Sequence, residues 1–305
     1  MSVVTGKENV PLGFLWLEIT GRCQLECVHC YAASGPGSSH GIMTEWDWCR
    51  VIDQAAALGV RMVQFIGGEP TLHPGLPALM ERALTGGMTV EVYTNLVGIG
   101  RRLWRVLERP GVRLATSYHS VKAEAHEAIT GRRGSHERTL RNLKEALRRG
   151  IPVRVGVVEV LPGQEMAETV AELEELGVSE IRVDRVRRVG RGAGSAVPDL
   201  DQLCGHCGEG KLAISPEGEV WPCVFSRWLR LGNVRESSLA EVYLQAKPAR
   251  RRLAVAFADR VRGSSLGQPC DPDRLCAPTK RCDPDDGNPG PVCVPHLRCS
   301  PFRPI

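Results

Sequence analysis

The feature that most constrains the fold is a unit that recurs along the first 190 residues: a helical stretch, a glycine, then a short apolar strand. Glycine after a helix supplies the left-handed residue that ends it. The strands are rich in Val and Ile, as buried parallel strands are. After a first strand over 12–19, the glycines and strands of the unit are Gly59 with 60–65, Gly87 with 88–93, Gly111 with 112–117, Gly150 with 151–158 and Gly177 with 178–183.

Alternation of strand and helix six times over predicts an α/β fold with a parallel sheet. Six units are fewer than the eight that close a full barrel, so the pattern leaves both an open barrel and a flat doubly wound sheet. Thr44 followed by Asp47 is typical of a capping box, and predicts the start of the first helix. Lys211 to Trp221 predicts a hairpin turning at Pro216-Glu217-Gly218, and residues 239–246 a short helix ended by Pro248.

The composition changes after about residue 186. Residues 187–194 are rich in Arg and Gly and suggest a linker, so we expect one domain over 1–190 and a loop-rich second domain over 191–305. The chain has no apolar run long enough to span a membrane and no signal peptide, which predicts a cytoplasmic protein. Its net charge of +4 comes from basic residues spread along the sequence and is too small to indicate nucleic-acid binding.

Twelve cysteines in such a chain indicate metal binding, because disulfides are disfavoured in the cytosol. Cys23, Cys27 and Cys30 follow the first predicted strand directly. Three thiolates can hold three irons of a [4Fe-4S] cluster, and a missing fourth cysteine leaves one iron open for catalysis. A zinc site made of the same cysteines and His29 is the alternative, although zinc sites are usually built from CxxC pairs.

This spacing resembles the CxxxCxxC motif of the radical S-adenosylmethionine (SAM) superfamily, with His29 and Tyr31 as the adjoining aromatic side chains. The run Gly67-Gly68-Glu69-Pro70, after the second predicted strand, resembles the GGEP segment of that family. The resemblance implies a partial (βα)6 barrel. It also implies an open iron that chelates SAM, and reductive cleavage of SAM to methionine and a 5′-deoxyadenosyl radical. We expect the two glycines to let the backbone approach the ligand, and Glu69 to accept from the SAM ammonium.

The resemblance implies further contacts with SAM at the ends of the strands. Polar side chains at these positions would contact its ribose and carboxylate, although ordinary strand-end or capping roles remain open. Arg133 is as good a candidate as Arg132, and both could belong to a solvated loop. The predicted contacts are Tyr31, Thr94, Asn95, Ser117 and Arg132.

The second group of cysteines resembles the SPASM domain, an auxiliary iron-sulfur extension of radical SAM enzymes, in the segment from Cys207 to Asn233. The later spacings depart from that pattern. Eight thiolates could ligate two auxiliary [4Fe-4S] clusters, and a zinc ribbon is the alternative. The eight are Cys204, Cys207, Cys223, Cys270, Cys276, Cys282, Cys293 and Cys299.

The resemblance implies an enzyme that matures a ribosomally synthesised precursor peptide by forming a carbon–carbon or thioether cross-link. Its expected partners are that peptide and an electron donor such as flavodoxin or ferredoxin. Few residues precede the first predicted strand, so a separate protein could bind the leader. One alternative is a dehydrogenase, epimerase or decarboxylase of a sugar or antibiotic intermediate; another is a non-catalytic iron-sulfur or zinc scaffold. Tyr118, His119 and Glu91 lie near strand ends, but the sequence assigns no general acid or base.

Overall fold

The computed structural model describes residues 10–263. Cys270, Cys276, Cys282, Cys293 and Cys299 therefore lie outside the described residues. The six predicted strands of the first domain are confirmed, and each pairs in parallel with the next along the chain. Their bounds are β1 Phe14–Glu18, β2 Met62–Ile66, β3 Thr89–Tyr93, β4 Val112–Ser117, β5 Val153–Glu159 and β6 Glu180–Arg185.

Helices follow the strands and cover one face of the sheet. Thr44 caps the first of them through the predicted capping box with Asp47. Alternate strand residues such as Val63, Phe65 and Leu114 are fully buried against these helices and form the main hydrophobic core. The helices are α1 Glu45–Ala57, α2 Leu76–Thr85, α3 Arg101–Leu107, α4 Ala123–Thr130, α5 Ser135–Arg148 and α6 Met166–Glu175.

The opposite face of the strands is polar. Buried Glu91 of β3 accepts hydrogen bonds from Gln64 of β2 and from Arg154 of β5, whose Nη2 lies 2.7 Å away. The Arg113 Nε lies 2.5 Å from the same carboxylate and its Nη2 lies 3.0 Å from Glu180. A closed barrel packs branched apolar side chains into this position. The charged network instead fits an open, partial (βα)6 barrel.

The predicted hairpin is confirmed as β7 Lys211–Ile214 and β8 Glu219–Trp221, followed by β9 Gly232–Asn233. It is not a separate sheet: β7 pairs in parallel with β1, so the nine strands of the described chain run in the order β6-β5-β4-β3-β2-β1-β7-β8-β9. The short helix expected at 239–246 is α7 Leu239–Gln245. Pro248 does not end the helical region, because it lies in the first turn of α8 Lys247–Gly263, where proline is tolerated.

The division at residue 190 stays a prediction, but the segment around it is more than a linker. Arg187 and Val189 are buried, and the backbone N–H of Arg191 donates to the carbonyl of Cys30 at 2.9 Å. The segment predicted to connect two domains therefore packs on the loop that carries the first three cysteines. Within residues 10–263, no helix is long and apolar enough to cross a membrane.

Candidate active site

The first three cysteines lie in the loop after β1, at the edge of the sheet where parallel strands end and ligands gather. The Cys23 Sγ accepts from the backbone N–H of Leu25 at 3.4 Å and lies 3.7 Å from the Asn95 Nδ2. Burial raises the pKa of Cys23 and of Cys27 to about 12, and the nearby Cys30 thiol adds to the shift in both. An anionic thiolate here needs compensating positive charge, which iron supplies.

The donor set of this loop fits a cluster better than a single ion. Within residues 10–263, no three His, Cys, Asp or Glu side chains converge on one point as ligands of a single metal ion. A cubane cluster needs no such point, because each cysteine binds a different iron. Three thiolates in one loop could therefore hold three irons of such a cluster, and the predicted ligands are Cys23, Cys27 and Cys30.

The GGEP segment packs directly on the cysteine loop. The backbone N–H of Gly68 donates to the Thr20 carbonyl at 2.7 Å, and that of Glu69 to the Arg22 carbonyl at 2.8 Å. A Cβ on Gly67 would lie 2.2 Å from the Thr20 oxygen, and one on Gly68 would lie 2.4 Å from the Arg22 oxygen. We expected the glycines to admit a ligand. In the structure the cysteine loop packs against both glycines, and their contact with SAM stays a prediction.

The Glu69 side chain is fully buried at this junction. Its Oε1 accepts from the Thr71 N–H at 3.0 Å and the Thr94 hydroxyl at 2.7 Å, and its Oε2 accepts from the Asn95 N–H at 2.8 Å. Burial raises the pKa of Glu69 above its ordinary value, and the hydrogen bonds from these donors offset part of that rise. Glu69 and Thr94 thus bind one another and tie β2 to β3, while direct contact of either with SAM stays a prediction. Pro70 begins the short turn that follows.

The other predicted contacts are brought near the loop to different degrees. Asn95 is close, since its Oδ1 accepts from the Gln24 amide at 3.0 Å. Arg132 is exposed, and its Nη1 donates to the Gln24 carbonyl at 2.9 Å. Ser117 lies at the end of β4 with its hydroxyl 3.0 Å from that of Tyr93. As contacts of SAM, all three residues stay predictions.

Tyr31 joins the loop to the second domain. Its ring packs edge-on against Phe225 with centroids 5.4 Å apart, and the Arg227 guanidinium lies 6.0 Å from its centroid. The Arg227 Nη1 in turn lies 2.7 Å from both carboxylate oxygens of buried Glu18 at the end of β1. Burial and the Glu18 charge raise the pKa of Tyr31 well above its ordinary value, so its hydroxyl keeps its proton.

Arg191 is a residue of this site that the sequence interpretation missed. Its Nε donates to the Cys27 carbonyl at 2.8 Å and its Nη2 to the Ser34 carbonyl at 2.7 Å. Gly190, at φ +59°, permits this contact, because a Cβ there would lie 2.2 Å from the Tyr31 carbonyl oxygen. The Gly-Arg-Gly sequence was the available signal, but on its own it suggested only a linker.

The imidazoles behind the loop form a row. The His29 ring is 5.0 Å from that of His119, which is 5.3 Å from that of His126. Burial lowers the pKa of His29 to about 4 and that of His126 to about 3, and it lowers the pKa of His119 well below its ordinary value. The row is therefore neutral at neutral pH. Tyr118, the neighbour of His119, donates to Glu172 at 2.8 Å, away from the cysteines.

The second cysteine group is partly assembled within the described chain. The sulfur atoms of Cys207 and Cys223 lie 3.2 Å apart, too far for a disulfide bond, and Cys204 adjoins Cys207. They line a cavity together with aromatic and basic side chains, among them Trp16, Phe225, Arg187 and Lys211. Such a buried set of thiols and cations fits an anionic iron-sulfur cluster. The remaining five cysteines of the predicted set lie outside residues 10–263.

Comparison with known proteins agrees with this arrangement. The family model of the radical SAM superfamily matches residues 17–176, and the SPASM model, described as an iron-sulfur cluster-binding domain, matches residues 204–282. The chain is 25% identical over 261 residues to the antilisterial bacteriocin subtilosin biosynthesis protein AlbA of Bacillus subtilis, covering 74% of this chain and 58% of AlbA. It is 28% identical over 280 residues to the PqqA peptide cyclase of Granulibacter bethesdensis, covering 76% and 74%.

The fold has a counterpart among solved structures. Streptococcus suis SuiB bound to the precursor peptide SuiA superimposes with a TM-score of 0.65 at 18% identity, over 78% of this chain and 66% of SuiB. At that identity the likeness supports the fold alone. The chain spans less than two thirds of the length of AlbA, so the relatives' complete activities do not transfer to it directly.

Proposed function

The chain belongs to the radical SAM superfamily, and we propose that it abstracts hydrogen from a residue of a ribosomally made precursor peptide to form a cross-link. It is a radical SAM/SPASM enzyme whose cofactors are a [4Fe-4S] cluster and SAM. The observation that carries the proposal is the buried loop of Cys23, Cys27 and Cys30 against the GGEP segment, in a chain similar to a PqqA peptide cyclase and to AlbA.

The protein's part in this reaction is to bind, orient and exclude water. We assign Cys23, Cys27 and Cys30 as the ligands of the SAM-binding cluster, which when bound supplies the open iron at which SAM is reductively cleaved. Arg191 fixes the carbonyl of Cys27, and the GGEP backbone fixes the loop from the other side. The neutral row of His29, His119 and His126 adds no charge near the loop.

The electron balance of a cross-link gives the second cysteine group a role. Abstraction of one hydrogen atom would leave the peptide one electron short, and formation of the new bond would then release one proton and one further electron. We assign that electron to an auxiliary cluster held in part by Cys204, Cys207 and Cys223. The eight cysteines from Cys204 to Cys299 are enough for two auxiliary clusters with four cysteine ligands each.

Metal content tests the cluster assignment. On anaerobically reconstituted protein we expect about twelve irons per chain, falling to about eight in a Cys23→Ala/Cys27→Ala/Cys30→Ala variant, on four irons per cluster. About four irons falling to none, with zinc bound, would mean that the second group of cysteines is a zinc fold. The cross-linking proposal would then lose its electron acceptor.

Isotope transfer tests the substrate. Candidate peptides are those encoded by short Cys- or aromatic-bearing reading frames beside the gene, synthesised with deuterated side chains. We expect one deuterium atom in the 5′-deoxyadenosine, and a peptide product that has lost that deuterium and one further hydrogen relative to the substrate. The triple cysteine variant should give neither result. SAM cleavage in the presence of every peptide without deuterium transfer would rule out the peptide proposal and favour a small-molecule substrate.

A further inference from the structure

The positive charge of the chain is concentrated in one stretch of the sequence. Residues 101–149 carry thirteen Lys and Arg against five Glu, a net charge of +8. The whole chain is only +4, so the remaining residues together carry −4. Along the sequence these basic residues form no single continuous run. The fold instead brings the two helices α3 and α5 of this stretch side by side on the outer surface.

Direct contacts place these helices next to one another. The Asn142 Nδ2 of α5 donates to the Leu96 carbonyl ahead of α3 at 2.6 Å, and the Arg149 guanidinium lies 5.0 Å from the Trp104 ring centroid of α3. Their exposed cations form what we call the basic face. Its members have no acidic partner within 4.0 Å in the described part of the chain, in contrast to Arg148 and Arg149, which pair with Glu145. The basic face comprises Arg101, Arg102, Arg105, Arg138, Arg141 and Lys144.

The basic face begins at the cysteine loop. Gln24, the residue after Cys23, is bonded to Asn95, in the segment that leads into α3, and to Arg132, in the turn that leads into α5. Buried Leu25 and Val97 pack with Cys23 in one small apolar cluster, and Val97 lies in the segment that leads into α3. A protein that docks on the basic face therefore lies beside the segments that hold the cysteine loop at Gln24.

We propose that the basic face is the docking surface for an acidic one-electron carrier protein of the flavodoxin or ferredoxin class. The inference rests on the proposed function in one respect, because it requires a reducible cluster at Cys23, Cys27 and Cys30. In each transfer the carrier loses one electron and the cluster gains it. Unpaired cations on helices whose leading segments bond to Gln24 would steer an acidic carrier to the side of the molecule that adjoins Cys23. Steering of this kind raises association rates by about 10- to 1,000-fold.

Nucleic acid is the other polyanion that such a face attracts. Single-stranded nucleic acid is usually held by exposed aromatic side chains interleaved with cations. In the described α3 and α5, the one Trp, Tyr or Phe is Trp104, which is buried. Proximity to the cysteine loop favours electron transfer and gives nucleic-acid binding no advantage. The observations therefore favour the redox carrier.

The test compares two reductants on the same proteins. SAM cleavage is measured with a purified acidic flavodoxin, kept reduced by its reductase, and separately with dithionite, which needs no docking. The variant is Arg101→Glu/Arg102→Glu, at the start of α3, where acidic residues suit the helix dipole and folding should be retained. The matched control is Arg61→Glu/Arg252→Glu, two exposed positions that give the same change in net charge.

We expect the flavodoxin-driven rate of the α3 variant to fall about tenfold or more at low salt. Its dithionite-driven rate should match the wild type, and the difference should shrink towards 0.5 M salt as charges are screened. An unchanged flavodoxin-driven rate would overturn the proposal. So would an equal loss with both reductants, which would locate the effect in the SAM site. Oligonucleotide binding is measured on the same proteins. If the α3 variant lost that binding while its flavodoxin-driven rate stayed at the wild-type value, the basic face would be assigned to nucleic acid. Dithionite-driven cleavage by the wild type tests the proposed function separately.

Discussion

Glu69 shows how one buried carboxylate can tie together the two strand ends that form a site. It is fully buried, and each of its oxygens accepts from a backbone N–H: Oε1 from Thr71 and Oε2 from Asn95. The hydroxyl of Thr94 adds a third donor to Oε1. Because all the neighbours donate, the group at this position has to be an acceptor on both sides. The glutamate of the GGEP segment is thus required by hydrogen bonding inside the protein.

We predict that Glu69→Gln destabilises the protein although it changes only one atom. The glutamine NH2 group would face an N–H donor whichever way the amide is turned, leaving buried donors unpaired at a cost of about 1–3 kcal/mol. Thr94→Val is the comparison: it removes one donor to Glu69 and the acceptor of the Leu96 N–H, and should cost about 1–3 kcal/mol. Urea unfolding of the cluster-free protein measures both. A Glu69→Gln variant as stable as the wild type would contradict the hydrogen-bond assignment.

At the scale of elements, the site is made by two loops that touch. The turn after β2 fits into the cysteine loop after β1 through the contacts of Gly67 with Thr20 and of Gly68 with Arg22. The strands align these loops because β1 and β2 pair in register from Phe14 with Met62 to Glu18 with Ile66. A shift of either strand would separate the loops, so the sheet register and the shape of the cysteine loop depend on each other.

Gly68→Ala should separate the two loops. Its Cβ would meet the Arg22 carbonyl oxygen at 2.4 Å, closer than real carbon atoms approach, so one loop has to move. We expect less iron in the reconstituted protein and faster loss of iron to a chelator. Gly98→Ala is the control, because it is the same substitution at a glycine where a Cβ meets nothing within 4 Å, so neither loop has to move. Iron content and chelation rate indistinguishable between the two variants would refute this account.

The strands and the cysteine loop could be predicted from the sequence because their signals are local. Five of the six predicted strands of the first domain follow a glycine after a helical stretch, and the three cysteines lie within eight residues. Arg191 could not be found in this way, since its partner Cys27 is 164 residues away along the chain. Glu91 and Arg154 meet across the polar face of the sheet for the same reason, at a separation of 63 residues. Contacts of this kind depend on the sheet order, which periodicity does not encode.

At the scale of the whole molecule, the two predicted domains share one sheet. β1 lies between β2 and β7, so removal of the hairpin would leave the first strand of the barrel as an open edge. Leu212 of β7 is fully buried in the same hydrophobic core as Leu114 of β4. The Glu18–Arg227 ion pair and the contact of Tyr31 with Phe225 add further ties between the two parts. The described chain should therefore unfold as one unit.

We predict a single unfolding transition for the cluster-free protein, and substitutions on the two sides of the predicted boundary should shift it alike. Leu212→Ala and Leu114→Ala each remove a fully buried side chain from one core, at a cost of about 2–5 kcal/mol. Circular dichroism and tryptophan fluorescence should report the same midpoint in each variant, because separate domains would unfold independently. If Leu212→Ala gave two transitions, with the barrel part at its wild-type midpoint, the hairpin would be a separate folding unit. The shared sheet would then join the domains without coupling their stability.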